Sequence, residues 1–256
     1  MVRAYGLDRV VYMPADISAS ALEEAAVAVR AALPGLCVRP LLGTYATCIQ
    51  TARRELQGAR TTLLFLGSTL GNFDDAAAVS FLRSLAAVMR PRDRLLVGVD
   101  TPHKPAAVIE RAYNDEDGVT SAFNLNILAH VNRVAGTDFD ISTFEHRARY
   151  DEATSTICSA VVSKIDQTVR ANGKVIMALR AGEAIRTEVS RKFSREAVET
   201  LFAAASLAPA RAWEGDQRSH LMVRTRIQFG LNRAGKTAKL RGKSNHAKPI
   251  IDGGRC

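Results

Sequence analysis

Short apolar runs alternate with amphipathic stretches along the first hundred residues, and the alternation resumes after residue 194. The apolar runs are too short for helices, whereas the stretches between them repeat apolar residues every three or four positions. The predicted strands cover residues 9–13, 36–42, 61–66, 95–99, 211–214 and 219–229. The predicted helices cover residues 20–33, 46–56, 74–89 and 194–205. Strands that alternate with helices indicate an α/β protein with a parallel, doubly wound sheet.

The pattern changes between residues 104 and 191. Helical periodicity marks residues 106–113 and 120–135, whereas polar and apolar residues alternate over 156–163 and 174–179. Asn172-Gly173 lies between those two alternating stretches and predicts a β-hairpin there. We interpret residues 104–191 as an α+β domain inserted into a discontinuous domain formed by residues 1–103 and 192–230.

The strand predicted at 61–66 is apolar enough to be buried on both faces, and a glycine-marked turn follows it. In open α/β sheets, ligands bind at the carboxyl ends of such strands. Gly67 and Gly71 would let the backbone approach a ligand, and Ser68, Thr69 and Asn72 supply polar groups at the same edge. The turn is therefore the first candidate for a binding site.

Asp16 follows the strand predicted at 9–13 and precedes a helix, for which Ser20 and Glu23 suggest a capping box. A carboxylate at a strand end can accept hydrogen bonds from both hydroxyls of a ribose. It can equally place a favourable negative charge at the start of a helix. The residues alone leave both interpretations open.

The net charge of +9 is concentrated at the carboxyl end of the chain. Residues 231–256 carry seven Lys and Arg against Asp252, so only +3 belongs to residues 1–230. This tail lacks apolar periodicity, and we expect it to be disordered. A basic tail can bind polyanions through charge alone. We do not expect a nucleic-acid-binding fold.

No apolar run approaches the roughly 20 residues that span a bilayer, and the first residues lack the apolar core of a signal peptide. The four cysteines and five histidines are scattered without the spacing of a metal site or a disulfide framework. We therefore expect a cytoplasmic protein that binds no metal and does not enter a membrane.

Four segments together resemble a known family: YMPADIS at 12–18, FLGSTLGNF at 65–73, RAYNDEDGVTSAFNLNILAHVNR at 111–133 and GEAIRTEVSRKF at 182–193. They are similar to the histidine-specific, S-adenosylmethionine-dependent methyltransferases, one of which trimethylates the α-amine of histidine on the route to ergothioneine. The resemblance runs from about Arg9 to Val223. It implies a Rossmann-like class I methyltransferase sheet with an inserted substrate domain, S-adenosylmethionine as cofactor and L-histidine as substrate.

The resemblance also implies roles for the substrate-binding residues. Asn72 would hold the amino-acid head group of histidine, with Gly67 and Thr69 along the same edge, and Tyr113 would hydrogen-bond the α-amine. Glu188 and Ser190 would bind the imidazole. The alternatives are an N-cap asparagine, a core tyrosine and two solvated residues of an edge strand. The spacing of Glu188 and Ser190 places both on one face of a strand.

On the cofactor side, the resemblance assigns the ribose to Asp16 and the adenine to Thr44 and Tyr45. Many family members have an aspartate where this chain has Thr44, so a contact from that position to the adenine amine departs from the family pattern. Tyr45 would stack on the base or would pack as a turn tyrosine.

A sheet of this kind begins with a strand and a glycine-rich cofactor turn, which residues 1–8 do not contain. That strand would lie between the strands predicted at 9–13 and 61–66. We expect an amino-terminally incomplete monomer. The alternatives are an impaired fragment or pseudo-enzyme, a chain completed by another polypeptide, and a polyanion binder acting through residues 231–256.

Overall fold

The computed structural model describes residues 6–56, 58–216 and 219–227. The strands are β1 (Val11–Tyr12), β2 (Ala15–Asp16), β3 (Cys37–Val38), β4 (Leu41–Leu42), β5 (Thr62–Phe65), β6 (Arg94–Asp100), β7 (Phe144–Asp151), β8 (Thr156–Ser163), β9 (Gln167–Ala171), β10 (Lys174–Leu179), β11 (Ala184–Arg191), β12 (Leu207–Glu214) and β13 (His220–Ile227). The α-helices are α1 (Ala19–Ala32), α2 (Tyr45–Glu55), α3 (Asp75–Val88), α4 (Ala106–Ala112), α5 (Val119–Ala135) and α6 (Arg195–Ala204). Short 3-10 helices lie at Leu7–Arg9, Thr69–Asn72 and Ile141–Thr143.

The amino-terminal part consists of two short parallel strand pairs, β1 with β3 and β2 with β4. The strand predicted at 36–42 is interrupted because Pro40 has no N–H group to donate to a neighbouring strand. Helix α1 is capped by Ser18, whose hydroxyl accepts from the Ala21 N–H at 3.3 Å. The capping box predicted at Ser20 is therefore wrong, since Ser20 already lies inside the helix.

The larger sheet has the strand order β12-β13-β6-β5. Strand β5 pairs in parallel with β6, whereas β13 runs antiparallel to both β6 and β12. The sheet is thus mixed and not wholly parallel, because a closing hairpin supplies its last two strands. Helices α3 and α6 pack on it through a core that includes Leu82, Val97 and Phe202. The α/β class predicted from the sequence is confirmed.

Strand β5 is less buried than the sequence predicted. Leu63 and Phe65 pack against the core, but the Leu64 side chain on the opposite face is 42% exposed. Among the described residues, β5 is the last strand of its sheet, and no strand joins it to the pairs formed by β1–β4. In the described part of the chain, the face of β5 that carries Leu64 is therefore only partly covered.

The middle of the chain forms an antiparallel sheet in the order β11-β8-β7 and a separate hairpin of β9 and β10. Asn172 and Gly173 make the predicted turn with φ of 50° and 78°, backbone conformations that asparagine and glycine adopt more readily than most residues. The hairpin joins β9 to β10, however, and not β8 to β10. Strand β8 lies centrally between β7 and β11.

Helix α5 covers this antiparallel sheet through a second core that includes Leu128, Phe144 and Val161. Its amino terminus is capped by the Asp115 carboxylate, which accepts from the N–H groups of Val119 and Thr120. The pKa of Asp115 is lowered to about 2. The largest cause is a hydrogen bond from the Thr120 side chain, followed by the hydrogen bonds from the two N–H groups. No helix in the described part of the chain is long and apolar enough to cross a membrane. The predicted tail at 231–256 lies outside the described residues.

Candidate active site

The turn after β5 is tied to the end of β6. The Ser68 N–H donates to the Gly98 carbonyl at 3.2 Å, and the Asp100 N–H donates to the Ser68 hydroxyl at 2.9 Å. Gly67 and Ser68 take left-handed conformations with φ of 84° and 62°, which let the chain turn sharply at the strand end. The turn thereby places Thr69 and Asn72 in the 3-10 helix at the carboxyl edge of the sheet.

Gly71 brings this 3-10 helix against the backbone of β11. A Cβ atom at Gly71 would collide with the carbonyl oxygen of Arg191 and lie 3.0 Å from its nitrogen. The Arg191 guanidinium also pairs with the carboxylate of Asp75. The turn that carries Asn72 is therefore docked at the end of β11, beside Ser190.

Asn72 itself is exposed. Helix α3, which follows it, is capped by Asp74, whose carboxylate accepts from the Ala77 N–H at 2.7 Å. Asn72 therefore does not fill the N-cap role that was its structural alternative. Its amide lies at the surface of the docked turn.

Lys192 joins two of the predicted substrate-binding residues. Its Nζ lies 2.9 Å from the phenol oxygen of Tyr113 and 3.1 Å from the hydroxyl of Ser190. The same ammonium lies 4.7 Å from the centre of the Tyr113 ring. Tyr113, at the end of α4, and Ser190, on β11, thus meet at one buried cation.

Asp100 balances the charge of Lys192, with its carboxylate 3.2 Å from the ammonium. The Lys192 side chain is 1% exposed, whereas that of Asp100 is 15% exposed. A second ammonium, from Lys104, lies 2.7 Å from the other carboxylate oxygen. Burial raises the pKa of Asp100, but the hydrogen bonds and charges of Lys104 and Lys192 outweigh burial and hold that pKa below its ordinary value. Asp100 therefore remains a carboxylate at neutral pH.

The backbone of Tyr113 is held from the opposite side. His146 on β7 places Nε2 2.8 Å from the Tyr113 carbonyl oxygen, and its Nδ1 lies 2.8 Å from the side-chain nitrogen of Asn124. Because an amide nitrogen only donates and a carbonyl only accepts, His146 carries its proton on Nε2. Asn124 is buried and also donates to the Ala160 carbonyl at 3.2 Å.

Glu188 and Ser190 lie on β11, as their strand spacing predicted. β11 is an edge strand of its sheet, which was a feature of the alternative interpretation. Glu188 is exposed and Ser190 is buried, and strand alternation places both on the face that carries Lys192. Ser159 stands directly opposite Glu188 on β8. Its buried hydroxyl has no hydrogen-bond partner among the described residues. The face of the sheet that carries Glu188 thus also carries the polar groups of Ser159 and Ser190.

The residues predicted to bind the cofactor lie together at the ends of β2 and β4. The Gly43 N–H donates to the Asp16 carbonyl at 2.9 Å, which makes Asp16 and Thr44 neighbours. The Asp16 carboxylate is exposed and accepts from the Ser18 N–H at 2.9 Å. Thr44 caps α2 by accepting from the Thr47 N–H at 3.4 Å. Both residues therefore also stabilise the start of a helix.

Tyr45 connects this cluster to β5. Its ring centre lies 5.5 Å from that of Phe65 and 5.4 Å from that of Phe81. The side chain nevertheless stays 44% exposed. The ring is therefore braced by two aromatic neighbours while part of its surface faces outward.

Two surface grooves lie away from these residues. One, of about 800 Å³, is lined by Gln50, Arg53, Arg54, Gly58, Val88 and Arg90, and the other, of about 370 Å³, lies beside β9 and β10. Neither contains a residue predicted to bind substrate or cofactor. In the described part of the chain, no three His, Cys, Asp or Glu side chains are grouped as metal ligands.

Sequence reasoning missed Lys192, Asp100, His146 and Asn124. One signal was present for Lys192, since it follows Ser190 by two residues and so shares its strand face. Asp100 ends a buried strand, as Asp16 ends another. No sequence pattern showed that a lysine from one element and an aspartate from another are buried together.

Comparison with known proteins identifies a family. A profile described as "Histidine-specific methyltransferase, SAM-dependent" matches residues 2–226. The chain is 38% identical over 203 residues to a protein of Mycobacterium tuberculosis named histidine N-alpha-methyltransferase. The aligned region covers 79% of this chain and 62% of that protein. It is 36% identical over 217 residues to a Mycolicibacterium smegmatis protein of the same name, covering 83% of this chain and 66% of that one. The chain thus spans less than two thirds of the length of either relative.

Proposed function

This chain belongs to the histidine-specific, S-adenosylmethionine-dependent methyltransferase family, and from that membership we propose that it methylates the α-amine of L-histidine. The products would be a methylated histidine and S-adenosylhomocysteine. The observation that carries the proposal is the Lys192 ammonium, which joins Tyr113 and Ser190 beside the docked turn of Asn72. Residues assigned to the two ends of one small substrate therefore share a single polar cluster.

The amine end would be bound by Asn72 and Tyr113. Methyl transfer requires a neutral amine whose lone pair is aligned with the methyl group, so positioning supplies most of the rate enhancement. The Tyr113 phenol can accept an amine N–H without adding a full charge. Its ring is fixed by Lys192 on one side, and its backbone is fixed by His146 on the other. Gly67 and Thr69 would line the same edge.

The ring end would be bound by Glu188 and Ser190. An exposed carboxylate accepts a hydrogen bond from an imidazole N–H, and a hydroxyl can bond the second ring nitrogen. Their position on one face of β11 supports simultaneous contact with a planar ring. This pair would select histidine over amino acids with apolar side chains.

The cofactor would be held at the ends of β2 and β4. Asp16 offers an exposed carboxylate for the ribose hydroxyls, and Thr44 and Tyr45 lie beside it. This donor and acceptor set, with a partly exposed aromatic ring, fits the nucleoside end of S-adenosylmethionine. The cofactor supplies the methyl group, and the protein supplies its orientation. We further propose that the protein acts as a monomer in the cytoplasm.

The test is calorimetric titration of the purified chain with S-adenosylhomocysteine and then histidine, followed by detection of methylated histidine by mass spectrometry. Binding of both, with product formed, is expected. Absence of heat and of any thermal shift would instead indicate a catalytically impaired fragment. Deleting residues 231–256 separates methyl transfer from polyanion binding by the tail. The deletion should abolish polyanion binding and leave methyl transfer unchanged.

A further inference from the structure

Lys192 imposes a direction on the two hydroxyl groups that it contacts. A lysine ammonium carries three hydrogen atoms and no lone pair, so it can only donate. The oxygens of Tyr113 and Ser190, at 2.9 and 3.1 Å, must therefore both accept from it. Neither hydroxyl can give its own proton to Lys192. Both protons are consequently available to other acceptors.

The Lys192 ammonium is held in the position from which it donates to both hydroxyl oxygens. Its side chain is buried, its charge is balanced by Asp100 at 3.2 Å, and the Tyr113 ring lies 4.7 Å away. Asp100 is in turn fixed by the Ser68 hydroxyl, which accepts from its N–H at 2.9 Å. A buried pair of this kind is costly to break, so the ammonium keeps its place.

We propose that Lys192 is a positioning residue that makes Ser190 a hydrogen-bond donor towards the substrate ring, so that the site selects a neutral imidazole. The inference rests on the proposed function, in which Glu188 and Ser190 bind that ring. Glu188 accepts from the N–H of the ring, and Ser190 donates to the nitrogen that carries no proton. An imidazolium has no such nitrogen, so the hydroxyl could meet it only by turning its remaining lone pair to the ring, which would deprive the Ser190 proton of this acceptor.

Other ionisable groups surround Lys192. Asp100 ends β6, Lys104 lies in the following loop, Tyr113 ends α4, Tyr150 lies on β7 and Glu188 shares β11. Burial raises the pKa of the Tyr150 phenol, so this group is neutral over the pH range of the test. Asp100 is ionised throughout that range because its pKa is lowered. In the substrate, the ring and the α-amine are the groups whose protonation changes with pH.

The experiment measures the KM for histidine at pH 5.5 and 7.5 in the wild-type protein and in Lys192→Met. Free imidazole side chains have a pKa of about 6.5, so ring protonation raises the wild-type KM about tenfold at pH 5.5. In Lys192→Met the Ser190 hydroxyl can turn and accept from an imidazolium. The ratio of the two KM values should fall about tenfold, whereas protonation of the α-amine affects both proteins equally.

Lys104→Met is the matched control, because it removes a cation from the same carboxylate without touching either hydroxyl. It should keep the wild-type KM ratio, and Lys192→Arg, whose side chain also only donates, should restore that ratio. Ser190→Ala removes the hydroxyl itself and should lower the ratio as Lys192→Met does. If circular dichroism shows that Lys192→Met does not fold, Ser190→Ala provides the test instead.

An unchanged ratio in folded Lys192→Met or Ser190→Ala overturns the inference while histidine methylation stands. An equal fall in Lys104→Met also overturns it, because charge and not hydroxyl direction would then set the ratio. A wild-type protein that neither binds nor methylates histidine removes the proposed function and this inference together.

Discussion

The imidazole of His146 holds the backbone of Tyr113, with Nε2 2.8 Å from the Tyr113 carbonyl oxygen. This contact connects β7 to the end of α4, where the predicted amine-binding phenol is located. Lys192 reaches the same side chain from the end of β11. Tyr113 is therefore positioned by two elements that are distant in sequence.

Replacing His146 by leucine removes the donor to the Tyr113 carbonyl and leaves the buried Asn124 amide with one fewer acceptor. We expect the free energy of unfolding to fall by about 1–3 kcal/mol. We also expect a lower kcat for histidine methylation, because Tyr113 would be less well placed. Denaturant unfolding and steady-state kinetics measure the two effects. His130→Leu, on the exposed face of α5, is the control and should change neither.

Glu188→Ala should weaken histidine binding far more than cofactor binding. The variant loses the acceptor for the ring N–H, which we expect to raise the KM for histidine by about tenfold or more, given about 1.5–3 kcal/mol for a hydrogen bond to a charged group. Calorimetry should give an unchanged Kd for S-adenosylhomocysteine. Glu145→Ala, which removes a surface carboxylate paired with Arg147, is the control. Histidine turnover equal to that of the wild type in Glu188→Ala contradicts the ring-binding role.

Gly71→Ala should separate the Asn72 turn from the end of β11. The added methyl group meets the Arg191 backbone, which cannot move aside as a side chain can. We expect a loss of about 1–3 kcal/mol in the free energy of unfolding and a lower kcat. Gly215→Ala is the control, since its nearest neighbour would be the His220 Cβ at 3.6 Å. Similar loss of activity in both variants would show that docking at Arg191 is not the cause.

Asp100→Asn should change the dependence of stability on pH. The folded-state pKa of Asp100 is lowered, so its carboxylate stabilises the fold above the unfolded-state pKa of about 4 and loses this contribution as the pH falls through the folded-state pKa. The variant leaves Lys192 without its counter-ion, and we expect the free energy of unfolding at pH 7 to fall by about 3 kcal/mol.

Unfolding of both proteins in denaturant between pH 7 and pH 2.5 tests this prediction. The wild-type protein should lose more stability below pH 4 than Asp100→Asn does. Glu199→Gln, which disrupts an exposed pair with Arg195, should cost at most about 1 kcal/mol. Parallel curves for the wild type and Asp100→Asn would mean that Asp100 has an ordinary pKa in the folded protein.

Local patterns were sufficient to place most helices and strands. Apolar periodicity located α2, α4 and α5 to within a residue or so, and Asn172-Gly173 located the hairpin turn. The same patterns failed where two neighbouring residues could fill one role, or where burial depended on residues distant in sequence. Two serines close together offered alternative caps for α1, and an apolar run could not reveal that β5 would have an uncovered face.

The sequence by itself determined most of the helices and strands, the family and the residues assigned to the substrate, because those depend on neighbours along the chain. Only the tertiary structure decided that Lys192 lies between Tyr113 and Ser190, that Asp100 balances it and that His146 holds the backbone beneath them. These groups come from four separate parts of the chain, which are the ends of α4, β6 and β11 and the strand β7. Burial and charge compensation are properties of the packed chain, and no local periodicity encodes which distant side chains will share a buried charge.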